Sequence, residues 1–203
     1  MTFHRTVFVF AKAPRIGRAK TRLARSLDSS EALRINRAIT SQVLRQVQDS
    51  RWKTILLVAP DREIFACAPG VWPYSLEKRP QGHGDLGARL RRAFLTAPKG
   101  AALAIATDAP DVDSSKLWRA FDALRSHDAV FGPADDGGFW VCGFRTGKRA
   151  PLPFAPVRWS SPHALADVVK NLGPKAKTAY LETLVDIDDA ESWALWLSRR
   201  RSA

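Results

Sequence analysis

The sequence predicts a three-layer α/β domain with a mostly parallel sheet, and three observations carry that prediction. Short apolar runs alternate with segments of helical spacing from one end to the other. The runs Val7–Ala11 and Ala101–Ala106 lack the polar alternation of a half-solvated sheet, so they read as strands covered by helices on both faces. An Asp-Gly pair between two further apolar runs, Asp136-Gly137, adds an antiparallel hairpin.

Each element has its own signal. Arg5–Ala11 is the first strand, and Ser30–Gln48 a long helix with Ala32, Ile35, Ile39, Val43 and Val47 on one stripe. Lys53–Ala59 is the second strand, followed by a short helix near Arg62–Cys67. Tyr74–Glu77 is a weak third strand, and Leu86–Leu95 a helix. Ala101–Ala106 is the fourth strand, and Ser114–Arg125 a helix whose entry Asp113 or Ser114 can cap. Ala129–Pro133 and Phe139–Phe144 pair across Asp135-Asp136-Gly137-Gly138. Ser161-Pro162 opens a helix with proline in its first turn, running to about Asn171. Thr183–Ile187 is a last short strand. Asp188-Asp189-Ala190-Glu191 then offers a capping box for a helix carrying Trp193, Leu195, Trp196 and Leu197.

A chain of 203 residues with 45% apolar residues fits one domain, 1–203, with a full-sized core. No apolar run approaches the length of a bilayer span. The N-terminus leads straight into a strand without the long apolar core of a secretory signal, so the expected location is the cytoplasm. Cys67 and Cys142 lack metal-ligand spacing and read as buried thiols of a reducing compartment.

The net charge of +12 points to an anionic partner: nucleic acid, an acidic membrane surface or a phosphorylated small molecule. Much of the excess is dispersed, as in the tail Arg199-Arg200-Arg201. Basic and aromatic residues do not interleave into the platform that single-strand binders use, which argues against nucleic acid. One cluster stands apart. After the first strand, Lys12, Arg15, Arg18, Lys20 and Arg22 surround Gly17 in a loop that suits a phosphate chain. It is not a Walker A loop, since Pro14 and Ala19 stand where that motif needs glycine. A solvated basic loop is the structural alternative.

Ala104-Ile-Ala-Thr-Asp-Ala-Pro-Asp111 is the most informative segment. Ligands of open α/β sheets bind beyond the carboxyl ends of the strands. Asp108, at that address, is a natural ligand for Mg²⁺ or Mn²⁺. It could equally do no more than turn the chain before Pro110.

Gly82-His83-Gly84-Asp85-Leu86-Gly87 satisfies the G-x-G-x-x-G spacing. The polar, proline-ended segment before it is not the buried strand that a dinucleotide fingerprint requires, so a glycine-rich loop folding over a ligand is the better reading. Asp135-Asp136 has a structural explanation as a hairpin turn, yet a carboxylate there could also hold an acceptor hydroxyl or take its proton. His4, His83, His127 and His163 show no paired spacing, and G-x-S-x-G, H-E-x-x-H and C-x-x-C are absent.

Five segments occur together in order: Lys12-x-Pro-x-x-Gly17-x-x-Lys20-Thr21-Arg22-Leu23, Gly84-Asp85-Leu86-Gly87-x-Arg89, Thr107-Asp108-x-Pro110, Gly132-Pro133-x-x-Asp136-Gly137-Gly138 and Trp159-Ser160-Ser161. In this combination, spanning Arg5 to Asp189, the chain resembles the small GT-A-fold transferases classed as glycosyltransferases and called radical-SAM/selenodomain-associated transferases. It is more distantly similar to molybdenum-cofactor guanylyltransferases and phospholactate guanylyltransferase. The resemblance implies a nucleotide-diphospho-sugar transferase fold. It further implies a nucleotide or nucleotide sugar framed by Ala11, Lys12, Pro14, Arg15, Gly17, Lys20 and Arg22, with Asp85, Gly87, Arg89 and Thr107 beside it. Asp108 would be the metal ligand, Lys20 a fixed cation for phosphate, and Asp136 the contact to a small-molecule acceptor. Ala106, Phe139 and Ser161 stand where such families commonly show glycine, tyrosine and threonine.

Two chemistries fit these residues. One is metal-dependent sugar transfer from a nucleoside diphosphate sugar; the other is nucleotidyl transfer from a triphosphate onto a phosphorylated acceptor. A non-catalytic nucleotide-binding module that kept the fold is the third expectation.

Overall fold

The computed structural model describes residues 3–16, 20, 22–65, 68, 70–147 and 152–201. Seven strands are ordered β3-β2-β1-β4-β6-β5-β7 in one sheet: β1 His4–Lys12, β2 Lys53–Ala59, β3 Glu77–Pro80, β4 Gly100–Ala106, β5 Ala129–Pro133, β6 Phe139–Thr146 and β7 Thr178–Tyr180. β6 is antiparallel to both neighbours and every other pairing is parallel. The carboxyl ends of the six co-directed strands therefore share one edge.

Strand periodicity splits the core in two. Val7 and Val9 face a layer built with α2 (Ser29–Gln46), α4 (Ser114–Ala123) and α6 (Ala190–Arg201), through Ile35, Ile39, Val43, Leu117, Phe121 and Trp196. Phe8, Ile55, Phe131 and Phe144 face the other layer, where α3 (Leu86–Thr96) and α5 (Ala164–Leu172) contribute Leu90, Phe94 and Val168. The three-layer α/β/α architecture is as the sequence predicts. Among the described residues no helix is long and apolar enough to cross a membrane.

Several elements differ from the sequence reading. The third strand lies at Glu77–Pro80, not Tyr74–Glu77, because parallel pairing with Ile55–Val58 on the sheet's open side fixes it there. The predicted helix near Arg62–Cys67 is a single 3₁₀ turn, Asp61–Glu63, and Cys67 lies outside the described residues. Ser161-Pro162 precedes α5, which starts at Ala164. The last strand is Thr178–Tyr180. Of Thr183–Ile187, only Leu184 makes an isolated bridge, to Ala134. The final capping box forms one residue later than expected: Ser192 N–H donates to Asp189 Oδ1, and Asp189 N–H donates to the Ser192 hydroxyl. A four-residue helix, α1 (Leu23–Ser26), closes the first loop and buries Leu23.

Candidate active site

β2 and β3 lie on one side of β1 and β4 on the other, so the strand order reverses between β1 and β4. The crevice beyond such a switch point is where open α/β sheets bind ligands. The first loop leaves β1 there, and Thr107-Asp108 leaves β4 beside it.

Lys20 Nζ contacts both Asp108 Oδ1 and the Ile187 carbonyl oxygen. The lysine side chain is 4% exposed and the Asp108 side chain 39%. Lys20 also holds a left-handed backbone, φ 55°, which a non-glycine residue keeps only where surrounding contacts enforce it. The cation expected to stand ready for phosphate is thus buried against the carboxylate expected to hold a metal.

A second carboxylate, which the sequence reading missed, joins them. Beyond β7 the chain follows β5, with Leu181 N–H on Phe131 O and Leu184 N–H on Pro133 O. It then reaches the tip of β4, where Ile187 N–H donates to Asp108 O at 3.0 Å. This path brings Asp186 to the carboxyl edge. Its Oδ1 is buried without a hydrogen-bond partner among the described residues. Burial and then the charge of Asp108, opposed by Lys20, push the Asp186 carboxyl up to about 7. Asp136 and Asp188 add smaller raising effects. The signal available in the sequence was Asp186-Ile187-Asp188-Asp189 just after an apolar pair, which reads equally well as a helix entry.

Other expected site residues fall around this centre. Arg15 pairs with Glu63 at 2.7 Å and Arg22 with Asp188 at 2.8 Å, so the two guanidiniums brace the loop's rim. Ala11 is buried and Lys12 exposed at the end of β1, and Pro14 is half-buried. Gly17, with Arg18, Ala19 and Thr21, lies outside the described residues. Thr107 is buried beside Asp108.

The glycine-rich loop is pinned to the opposite wall of the crevice. Gln81 Nε2 donates to Ala11 O at 3.1 Å and to Leu57 O at 2.9 Å, bridging the tips of β1 and β2. Arg89 donates to Gln81 Oε1 and Gly84 O, and Arg92 to Gln81 O and His83 O. Asp85 caps α3 by accepting from Ala88 N–H at 2.8 Å. Gly87 allows close approach: a Cβ there would lie 2.4 Å from Phe154 O. Asp85 and Gly87 therefore have local structural work beside any ligand contact, and Gln81 was not picked out from the sequence.

The hairpin is not a two-residue type I′ turn. Ala134–Gly138 connect β5 to β6, with Gly137 N–H on Ala134 O and Gly138 N–H on Asp136 Oδ1 at 2.8 Å. Gly137 has φ 84°, and a Cβ there would meet Pro162 O at 2.3 Å. Asp136 is exposed with one carboxylate oxygen committed to the turn, while Asp135 holds the segment bearing Asp186.

The strand order, the single reversed strand and the acidic edge define a nucleotide-diphospho-sugar-transferase-type fold. The chain belongs to the family DUF2064, described as an uncharacterized protein conserved in bacteria, whose model matches residues 42–161. No curated protein matches it. Among solved structures it is similar to a Desulfovibrio desulfuricans G20 protein proposed to be a nucleotide-diphospho-sugar transferase, at 22% identity and TM-score 0.84 over 96% of this chain and 87% of that one. It is also similar to 4-diphosphocytidyl-2C-methyl-D-erythritol synthase from Anaerococcus prevotii DSM 20548, at 12% identity and TM-score 0.64 over 98% and 99%. A third likeness is to Rv0371c of Mycobacterium tuberculosis H37Rv, solved as a manganese complex, at 16% identity and TM-score 0.54 over 97% and 99%.

Proposed function

We propose that the chain is a divalent-metal-dependent transferase that moves a sugar from a nucleoside diphosphate sugar to a small acceptor. The observation that carries this reading is the meeting of Asp108, Asp186 and Lys20 beyond the β1/β4 switch point. The two carboxylates form an all-oxygen donor set that fits Mg²⁺ or Mn²⁺, and the buried, unpartnered Oδ1 of Asp186 is an oxygen in need of a cation. Among the described residues no group of three or more His, Cys, Asp or Glu side chains is arranged to hold a metal ion by itself. The remaining ligands are then phosphate oxygens and water, as is usual for Mg²⁺ held with a nucleotide. A cation there supplies neutralisation of the charge that develops on the departing diphosphate, worth several kcal/mol.

The chain's own residues do the rest. Lys20 gives fixed positive charge to the phosphates, with Arg15 and Arg22 at the loop's rim. Ala11, Lys12 and Pro14 frame the nucleotide at the end of β1, Thr107 at the end of β4, and Asp85, Gly87 and Arg89 from the glycine-rich wall, while Gly17 of the same first loop lies outside the described residues. Asp136 faces the acceptor and uses its second carboxylate oxygen to hold or deprotonate the incoming hydroxyl. The fold likeness to the Desulfovibrio protein and to the manganese complex supports this reading.

Nucleotidyl transfer is the second reading, favoured by the tie of Asp136 Oδ1 to Gly138 N–H. A phosphate acceptor is already a nucleophile and needs no free base. Incubating the protein and Mn²⁺ with nucleoside triphosphates and, separately, with nucleotide sugars distinguishes the two. Release of a nucleoside diphosphate from a nucleotide sugar supports sugar transfer, and release of diphosphate from a triphosphate supports nucleotidyl transfer. Nucleotide binding with neither product across a broad acceptor panel would overturn both in favour of a binding module.

A further inference from the structure

We propose that Lys20 is the resident counter-ion of the Asp108–Asp186 pair, and that it changes partner when a divalent cation enters, moving onto the nucleotide's phosphates. The inference rests on the reading that these carboxylates hold the cation. It adds that metal and nucleotide binding are coupled through one side chain.

The geometry argues for an exchange. Nζ sits on Asp108 Oδ1, an oxygen that the cation would need. Its second contact, the Ile187 carbonyl, fixes the ammonium at the end of the segment that carries Asp186. The lysine stem is 4% exposed, so the charge is held in a half-buried site where water screens poorly. An ammonium and a divalent cation sharing a carboxylate oxygen there repel strongly. Yet the ammonium leaves Asp186 Oδ1 without a partner, so it satisfies the acidic pair only in part. A divalent cation can satisfy both carboxylates once the lysine swings away, into solvent or onto another anion.

The phosphates of a nucleotide at the first loop are that anion. Lys20 can swing toward them because its four-carbon stem is flexible. Reciprocity follows: if nucleotide draws Lys20 away and so tightens metal binding, metal tightens nucleotide binding by the same factor.

The test is Mn²⁺ binding in the absence of nucleotide, read from the electron paramagnetic resonance signal of free Mn²⁺. Wild type, Lys20→Met, Asp108→Asn and the double variant are compared. Lys20→Met should bind Mn²⁺ at least tenfold more tightly than wild type, and adding Asp108→Asn should abolish the gain. In parallel, wild type is reductively methylated with and without Mn²⁺ and its lysines are quantified by mass spectrometry. Mn²⁺ alone should raise Lys20 labelling at least threefold. If Lys20→Met binds Mn²⁺ no more tightly than wild type while Asp108→Asn loses binding, the counter-ion role falls and the metal reading stands. If Asp108→Asn binds as wild type does, the metal reading itself falls. Should Lys20→Met fail to fold, the labelling of wild type decides, and reactivity unchanged by Mn²⁺ overturns the exchange.

Discussion

The backbone N–H of Asp186 donates to Oδ1 of Asp135 at 3.1 Å, and the N–H of Asp135 donates to Leu184 O at 3.3 Å. This reciprocal pair fastens the hairpin tip to the segment that delivers Asp186 to the acidic edge. A residue that looks like simple turn chemistry therefore fixes the position of the buried carboxylate. Asp135→Ala should lower Mn²⁺ affinity several-fold, because one hydrogen bond of about 1 kcal/mol no longer holds Asp186 in place. Asp135→Asn keeps an acceptor at the same atom and should restore most of it. Calorimetric titration of both variants checks this, and equal losses would remove the positioning role.

Asp108→Asn is nearly isosteric at a strand end and should leave the protein folded, while removing the Mg²⁺ or Mn²⁺ dependence of nucleotide binding. Nucleotide affinity measured with and without metal decides it. An undiminished metal effect in the variant excludes Asp108 as ligand.

Lys20→Ala should weaken nucleoside diphosphate binding more than nucleoside binding, since only the former offers phosphate to the cation. A charge-assisted contact of about 1.5–3 kcal/mol corresponds to a loss of roughly tenfold or more. Fluorescence or calorimetric titration with both ligands provides the comparison.

The carboxyl of Asp186 is pushed from 3.8 up to about 7, chiefly by burial and by Asp108. The folded state therefore binds a proton that the unfolded state has released between those values. Stability from this group is fully present below about pH 4 and is lost as pH rises through 7. Without metal or nucleotide, Asp186→Asn should flatten that loss and exceed wild type in stability at pH 8 by roughly 1–4 kcal/mol. Urea unfolding from pH 4 to 8 measures it, and parallel pH profiles for the two proteins would contradict the assignment.

Asp136→Asn retains an oxygen for Gly138 N–H and should preserve both fold and donor affinity. If Asp136 serves the acceptor, turnover should fall by roughly 10²–10⁴-fold. Full turnover in the variant would return Asp136 to the hairpin alone.

Local chemistry made much of the fold legible. Val7 and Val9 against Phe8 already write a strand buried on both faces, and Ile35, Ile39 and Val43 write one helix stripe, because periods of 2 and 3.6 depend only on neighbouring residues. Asp113 as a cap and the pairing of β5 with β6 follow from equally local rules. The strand at Glu77–Pro80 did not, since half-buried Glu77, Lys78 and Arg79 pair through the exposed side of β2 rather than through their own propensity. The Thr183–Ile187 segment has strand-like composition, yet its backbone leaves β5 to reach Asp108.

The site divides in the same way. The sequence alone located Asp108, the basic first loop and the acidic hairpin, each at the carboxyl end of a strand. Only the tertiary structure placed Asp186 near Asp108, turned Lys20 inward onto Asp108 and the Ile187 carbonyl, and gave Gln81 the tips of β1 and β2 to bridge. Lys20 and Ile187 are 167 residues apart and touch only because the strand order reverses at β1 and the chain returns across the carboxyl edge after β7. Local pattern sets which residues can form an element. Which charges share a low-dielectric pocket is set by how the elements are connected.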